Sequence, residues 1–568
     1  VSRSPEHAAF VVAPGSPRSG RSRVAGNAAA RRDAPARVAV VGKDVRVVLA
    51  PEQAAQLAAR IESERPRWTW WSAQWDAAPL IAAGLAPARA WDVRQAHRLI
   101  FGGGQGEPGQ AWAAAHGLDL AQVPAPPTGD LFEVMDSAPE SGLVRPDGHL
   151  RPDAVAGTWC NDDELLLSWA DAALTCARAQ RAQAARCWPR LVVTVHAESA
   201  AAVLCAELTR DGLPVDRARL LQIVSPMSGP RDARDAQVLA HVPGREHIDL
   251  RNPLAVRDLL ASVGIEVAST RKHVLEAYRN AHPVVSALLA WRAQERIATT
   301  YGPAWIQEHI GPDDRLRGQW NPADGAAGRM SADSGLHNLP VTLRPGVAAE
   351  PGHRFVRADL GQIEPRVLAV VSGDEAFAAA SRAEDLYAPV AARLGVERSV
   401  AKIAVLAAMY GQRSGAAGEA LRGLERSYPV AMRYLDRAYA AGCAGEPVRT
   451  YGGRLIRTGA ALPTAPQPDD PALTAARGRF ARNAVIQGAA AELFKAWAVT
   501  VRAALHPRAR IVLCLHDELL VHVPQELAES TAQALDTCLQ DASRRWSGGA
   551  PVRFVADISV VQRWSEAK

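Results

Sequence analysis

Lysine is almost missing from this chain. Of 65 basic side chains only five are lysines: Lys43, Lys272, Lys402, Lys495 and Lys568. The bias is that of a GC-rich genome, as is the abundance of alanine, and it makes each surviving lysine worth a reason. Long apolar runs are missing too. None reaches the roughly 18 uninterrupted residues that a membrane-spanning helix needs, and the N-terminus lacks the apolar core of a secretory signal. The seven cysteines are an odd number with no C-x-x-C pair, which argues against a disulfide framework or a structural zinc site. These absences describe a soluble, cytoplasmic chain. What is present fits that reading: 48% hydrophobic and 22% charged residues indicate a globular protein. Its 568 residues imply two to four domains. A net charge of +5 permits a polyanionic partner without demanding one.

Residues 1–36, rich in Arg, Ser, Gly and Ala, read as a flexible basic arm, with a nucleic-acid-binding tail as the less favoured alternative. Alternating α/β patterning follows. ARVAVVGKDVRVVLA reads as two strands around a turn, Pro51 opens a helix, and WTWWS reads as a strand. This small α/β region ends near residue 120, and the Pro/Gly/Asp-rich stretch 121–158 reads as a linker or long loop. A helix with an acidic start and a basic end begins at Asp162, and two more are separated at Asp211-Gly212. From about residue 350, RFVRADLG and RIVLCLHDELLVHV are apolar strands carrying acids at their ends, with long helical stretches between them.

Four segments carry chemistry. In the first, Asp359 ends an apolar strand and Gln362, Glu364 and Arg366 follow at alternating positions; for Asp359 alone, a solvated strand end is the plainer reading. In the second, His516, Asp517 and Glu518 interrupt an apolar stretch, which suggests a hairpin with the acids near its turn. Adjacent carboxylates in apolar surroundings repel and desolvate each other, so either the turn is well solvated or a cation compensates them. In the third, Arg398, Lys402, Leu406 and Tyr410 recur every four residues and share one face of a helix that Gly411 can end. Two cations one turn apart suit phosphates. The opposite positions, Val400, Ile403, Val405, Ala407 and Ala408, are apolar, which leaves the basic stripe little room to be idle surface. Lys402 has a further meaning, because a lysine can give up a proton and an arginine cannot. In the fourth, Arg479, Asn483 and Gln487 fall at i, i+4 and i+8, a hydrogen-bonding edge on one helical face or ordinary surface polarity.

Together these segments resemble DNA polymerase family A. DLGQIEPRVLAVVSGD is similar to its motif A, RSVAKIAVLAAMYG to motif B, LHDELLVHVP to motif C, ARGRFARNAVIQGAAAELFK to the helix between B and C, and GRMSADSGLHNLP at 328–340 to the template-and-primer segment before motif A. The resemblance covers about residues 195–568, and five motifs in the family's order leave little to coincidence. It implies a multidomain α+β fold, a right hand with an antiparallel palm sheet and helical fingers and thumb, preceded by an α/β ribonuclease H-like domain. The implied boundaries are an arm at 1–36, an exonuclease-like domain at 37–190, a thumb at 195–320, a palm at 321–374 and 476–568, and fingers at 375–475.

The resemblance also implies roles. Asp359 and Asp517 match the carboxylates that hold two Mg²⁺ ions about 4 Å apart, with Mn²⁺ a substitute; Glu518 matches the accessory acid. Lys402 matches the lysine that neutralises the triphosphate and protonates pyrophosphate, and Arg398 the triphosphate-binding arginine. Glu364 matches the steric gate against ribonucleotides, and Tyr410 the tyrosine at the closing base pair. Arg329, Asn338 and Gln487 match minor-groove readers; His516, Arg479, Asn483 and Arg366 match residues around primer terminus and template. Gln362, Leu406 and Tyr387 fall at nucleotide-facing positions. Leu406 replaces the usual Phe or Tyr, Tyr387 a usual His, Gly361 a Ser and Pro365 a Leu; Pro365, lacking an N–H, suits only an edge or strand end. The implied partners are primer-template DNA and dNTPs for a monomer at the nucleoid, in replication or repair. The front domain resembles the 3′–5′ exonuclease weakly. WWSAQWDAAPL puts Asp76 at the second motif, but no Asp-x-Glu occurs before residue 160, so the expectation is a domain without proofreading. An exonuclease active through other acids, a DNA-binding relative with little catalysis, and a single-subunit RNA polymerase remain the alternatives.

Overall fold

The computed structural model describes residues 7–13, 37–104, 106–124, 142–151, 161–411, 417–459 and 470–567. The chain divides into two compact units. The larger takes residues 1–210, 320–331 and 356–559, and the smaller takes 211–319, 332–355 and 560–568.

The larger unit begins with a five-stranded sheet: β1 (His7–Val12), β2 (Val38–Val41), β3 (Arg46–Leu49), β4 (Arg67–Trp70) and β5 (Ala90–Asp92), in the spatial order β3-β2-β1-β4-β5. Strands β2 and β3 run antiparallel to their neighbours, while β1, β4 and β5 are parallel. Mixed antiparallel and parallel pairing in one sheet fits the expected α/β character of this region. Its central strand lies inside the stretch read as a basic arm, which is a correction. HAAFVV is apolar after His7, and Phe10 and Val11 are fully buried. Averaging five apolar residues with their Arg/Ser/Gly-rich surroundings hid the strand. The basic run SPRSGRSR itself lies outside the described residues, as does most of the 121–158 linker.

Side chains alternate between the two faces of this sheet. Ala9, Val11, Ala39 and Val41 pack under α2 (Asp163–Cys187), whose Asp162 caps it by accepting from the Leu165 N–H. Phe10, Trp68 and Trp70 point the other way, against α1 (Pro51–Glu62) and Ala202 and Val203 of α3 (Leu191–Asp211). The start of the expected thumb at 195 therefore falls inside a helix of the larger unit.

A second sheet, in the order β7-β8-β6-β9, contains β6 (His353–Leu360), β7 (Arg510–Leu515), β8 (Glu518–Pro524) and β9 (Ala556–Val561). β7 and β8 are the expected hairpin. Leu515 pairs with Glu518, so His516 and Asp517 form the turn, and His516 sits in the left-handed region at φ 54°. After β6 the chain enters α4 (Ile363–Ser372) through Gln362, also left-handed at φ 57°. Pro365 is thus not at a strand edge; it lies in the first turn of α4, where no backbone N–H is required. Beyond it come α5 (Tyr387–Leu394), α6 (Arg398–Tyr410), α7 (Pro429–Cys443), α8 (Pro471–Ala504) and α9 (Ala528–Ser547). Gly411, at φ 71°, ends α6 as expected. By length and composition α3 and α8 could cross a membrane, but 56% and 78% of their apolar windows are buried against the chain.

The smaller unit is largely helical. Its core packs Val284, Val285, Leu288 and Trp291 of one helix against Val256, Leu259, Leu260 and Leu275. Beside it, Arg234 and Arg251 share Glu295, and Arg251 also holds Asp235.

Candidate active site

Two carboxylates far apart in sequence meet at one edge of the second sheet. Asp359 is the penultimate residue of β6 and Asp517 lies in the β7–β8 turn. The Leu360 N–H donates to the Asp517 carbonyl at 3.0 Å, which sets the two segments side by side. On the opposite flank the Gly361 N–H donates to the Val555 carbonyl at 2.9 Å. A Cβ at Gly361 would stand 3.0 Å from the Val555 side chain, so the glycine suits this crossing. Burial, with Glu364 and Asp359 adding repulsion, pushes the Asp517 carboxyl up to about 6 against the pull of Arg329.

Arg357, two residues before Asp359 and on the same face of β6, organises the acids. Its Nε donates to Glu518 at 2.8 Å, one Nη to Asp359 at 2.5 Å and the other to Asp557 at 3.1 Å. Burial works against its charge, but Glu518, Asp359 and Asp557 outweigh it and its pKa rises. Sequence reading assigned Arg357 no role. The available signal was an arginine inside an apolar strand at i−2 from a candidate catalytic acid. Asp359, Asp517 and Glu518 offer hard oxygen donors in a setting that favours positive charge, which fits a divalent cation of the Mg²⁺ type.

A second group forms around Glu364, at the start of α4. Its side chain is mostly buried; one oxygen takes Arg329 at 2.7 Å and the other accepts from the Tyr410 hydroxyl at 3.3 Å. Burial raises the Glu364 pKa, opposed by Arg329. Gln487 of α8 also hydrogen-bonds Tyr410. Four of the sequence-selected residues therefore meet from four separate elements.

A third group lies at the start of α6. The Gln362 amide donates to Asp385 at 2.8 Å and accepts from the Leu386 N–H at 2.8 Å. Asp385 also pairs with Arg398 at 2.5 Å, which holds the Asp385 carboxyl below its usual range. The Arg398 guanidinium lies 5.8 Å from the Tyr387 ring centre. Tyr387 is buried, which pushes its hydroxyl up to about 12. Lys402, one turn after Arg398, is exposed, and Leu406 is half-buried. Asp385, which links Gln362 to Arg398, was missed; the signal was an acid two residues before Tyr387. Ile403 is a correction, since it is 57% exposed rather than part of an apolar back face. The core side of α6 is narrower than expected and consists of Ala401, Ala404, Val405, Ala407, Ala408 and Met409.

The remaining residues divide. Arg366 is fully buried, and its guanidinium donates to the carbonyls of Gly361, Ser381, Ala383, Glu384 and Arg553. With its donors committed to backbone it is a structural clamp, and the expectation of a DNA contact is corrected. Arg479 is exposed beside Gly411, Asn483 is half-buried with its Oδ1 lacking a partner, and His516 is exposed. Asn338 belongs to the smaller unit, where its carbonyl accepts from the Tyr301 hydroxyl at 2.9 Å and its side chain is exposed.

The acids of the front sheet serve the fold. Asp76 accepts from the Val12 N–H at 3.0 Å and the Ser72 N–H at 3.1 Å. Asp92 is fully buried and accepts from the N–H groups of Ala73 and Gln95. Strand β1 carries no acid.

These features can be set against known proteins. The model for DNA polymerase family A matches residues 262–566, more than half of the chain. DNA polymerase I of Chloroflexus aurantiacus is 34% identical over 336 residues, 52% of this chain and 34% of that protein. DNA polymerase I of Deinococcus radiodurans is 29% identical over 401 residues, 63% of this chain and 40% of that protein. The chain thus spans less than half the length of these curated relatives. In fold it is similar to the POL domain of Pol1 from M. smegmatis, solved in complex with DNA primer-template and dNTP. The TM-score is 0.67 at 21% identity, covering 94% of this chain and 93% of that one. Fold and motif order together define the polymerase class. The chain belongs to DNA polymerase family A.

Proposed function

We propose that this chain is a template-directed DNA polymerase that adds dNTPs to a primer 3′-hydroxyl. The observation that carries the reading is the meeting of Asp359 and Asp517 through the Leu360–Asp517 backbone bond. Asp359 and Asp517 would hold two Mg²⁺ ions, with Glu518 beside them. Bound there, the ions supply activation of the 3′-hydroxyl and neutralise charge on the leaving pyrophosphate.

The protein's own side chains do the rest, mostly by positioning and charge. Arg398 holds the triphosphate after exchanging Asp385 for phosphate oxygens. Lys402 Nζ, exposed on the same face, donates a proton to the departing pyrophosphate. Glu364, fixed by Arg329 and Tyr410, walls off the space a ribose 2′-hydroxyl would need. Its carboxylate is pre-positioned by two hydrogen bonds, which favours DNA over RNA synthesis. Tyr410 supports the nascent base pair. Gln487, Arg329 and Asn338 read minor-groove acceptors, a degenerate pattern suited to sequence-independent checking. Asn483, Arg479 and His516 attend the primer terminus and template. Leu406 leaves the sugar facing an aliphatic group, and Gln362 and Tyr387 set the loop that carries Asp385.

The chain would combine a palm (321–374 and 476–568), fingers (375–475) and an exonuclease-like front domain (37–190), the palm range taking 332–355 and 560–568 from the smaller unit. The helices at 195–320 would form the thumb. Strand β1 has no acid, and Asp76 spends its oxygens on backbone N–H groups, so the front domain performs no proofreading. The setting is replication or repair at the nucleoid, as a monomer. Primer extension tests the reading: wild type incorporates dNTPs, Asp359→Ala and Asp517→Ala do not, and a 3′-mismatched primer is not hydrolysed. Equal extension by all three proteins would overturn it.

A further inference from the structure

The front sheet has a second edge that the polymerase reading leaves unused. At the N-terminal ends of the parallel strands β1, β4 and β5, six basic side chains converge: His7, Arg67, Arg89, Arg178, Arg181 and His196. The arrangement follows from strand alternation. His7, Arg67 and Thr69 point to the face covered by α2, which contributes Arg178 and Arg181. His196 comes from α3 and stands edge-on to Trp91 of β5, with ring centres 5.8 Å apart. Asp76 and Asp92 lie at the opposite, C-terminal end of the same strands, so the cluster is distinct from the acids that resemble an exonuclease site.

Among the described residues the polar contacts inside the cluster bring it no negative charge. His7 Nδ1 meets the Thr69 hydroxyl at 3.1 Å, and Arg181 approaches His7 Nε2 at 3.4 Å. Arg67 donates to the Ala90 carbonyl at 3.1 Å, and Arg89 to the Arg65 carbonyl at 3.4 Å. Among the described residues no carboxylate pairs with any of these four arginines. Two buried atoms, Arg67 Nε and His196 Nε2, have no hydrogen-bond partner among the described residues. Burial and the surrounding arginines hold His7 down to about 4 and His196 down to about 3, and Arg67 is lowered to about 10. Buried polar atoms are normally paired and buried charges normally compensated. Here an Arg67 N–H and a His196 ring nitrogen lack a partner among the described residues, beside guanidinium groups that can only donate.

We propose that this cluster binds a phosphate group, supplied either as free inorganic phosphate or as the terminal phosphate of a DNA strand. Arginine forks match tetrahedral oxyanions geometrically, and a dianion satisfies the orphan Arg67 Nε donor while cancelling the mutual repulsion of the guanidinium groups. This inference is independent of the polymerase reading, since none of its residues belongs to that site.

The full chain, in EDTA, is titrated calorimetrically with sodium phosphate and with sodium chloride at matched ionic strength, and its melting temperature is followed in parallel. Phosphate gives a saturable heat that chloride does not, and at ten times its Kd raises Tm by roughly 2 °C. Arg67→Gln and Arg181→Gln weaken phosphate binding at least tenfold. In phosphate-free buffer Arg181→Gln melts no lower than wild type, because a repelling charge is gone; a purely structural arginine would lower it. Should Arg181→Gln fail to fold, Arg178→Gln, at an exposed position, is the variant read, with an expected loss of about threefold. The two sources are separated with single-stranded oligonucleotides bearing a 5′-phosphate or a 5′-hydroxyl. A preference for the phosphorylated strand that vanishes in the variants assigns the cluster to DNA ends. Equal binding of both strands, with inorganic phosphate still bound, assigns it to the free anion. No saturable phosphate heat in wild type, or unchanged affinity in both Arg67→Gln and Arg181→Gln, overturns the proposal.

Discussion

Replacing Arg357 by methionine keeps most of the side-chain volume and removes the charge shared by Glu518, Asp359 and Asp557. The three partners are not equal. The Glu518 side chain is 9% exposed, that of Asp359 40% and that of Asp557 68%. Stripping the partner from a buried ion destabilises by about 3–5 kcal/mol. A solvent-screened pair contributes only about 0–1 kcal/mol. Glu518 therefore dominates, and Arg357→Met should be destabilised by about 3–5 kcal/mol in EDTA, read from urea denaturation. A divalent ion brings positive charge back to the same acids. Saturating Mg²⁺ should thus stabilise the variant more than wild type, and the gap between them should shrink. Competition between guanidinium and metal also predicts tighter Mn²⁺ binding by the variant, on the order of tenfold for each 1.4 kcal/mol of the lost competition. Paramagnetic titration measures it without any turnover. The same destabilisation with and without metal, together with unchanged Mn²⁺ affinity, would refute the view that Arg357 and the metal ions serve the same carboxylates.

Glu364→Ala should lose discrimination against ribonucleotides by at least tenfold in single-nucleotide incorporation, while also freeing Arg329 and Tyr410 from their shared partner. Lys495→Met should be destabilised by about 3–5 kcal/mol, because Glu198, fully buried, then keeps only Arg454 of its two cationic partners. Adding Glu198→Gln to it should recover part of the loss; no recovery would contradict the pairing. Asp92 should shape stability against pH. Burial holds its folded pKa at about 6, above the value of an unfolded aspartate. The neutral acid is therefore favoured by folding below about pH 4, and that benefit is lost as pH rises through 6. Over that range Asp92→Asn should gain about 3 kcal/mol relative to wild type, and urea denaturation at pH 4 and pH 7 showing a constant difference would contradict it.

Much of the site was legible because its signals are local. The hairpin around Asp517 shows as a charged triplet between two apolar runs. The α6 helix shows its functional face at i, i+4, i+8 and i+12 and closes on Gly411, the one residue type for which a left-handed φ carries no steric cost. It was the resemblance of the motifs to family A that singled out Asp359, Glu364, Arg329, Tyr410 and Gln487. What it could not show was who holds whom. Arg357 and Asp385 have no sequence pattern of their own, and their importance comes from partners 161 and 13 residues away. Arg366 follows a motif yet spends its donors on backbone carbonyls, since a buried guanidinium must satisfy every N–H it can.

Local composition and periodicity therefore gave the order of many elements, and motif resemblance gave the family and the candidate acids Asp359 and Asp517. The tertiary fold decided the rest. It drew five apolar residues of an otherwise basic stretch into the centre of a sheet, because only there could Phe10 and Val11 leave water. It also gathered, at the far end of that sheet, two histidines and four arginines that have no carboxylate partner among the described residues. Strand order and burial are properties of contacts between distant segments, and one-dimensional patterns carry no term for them.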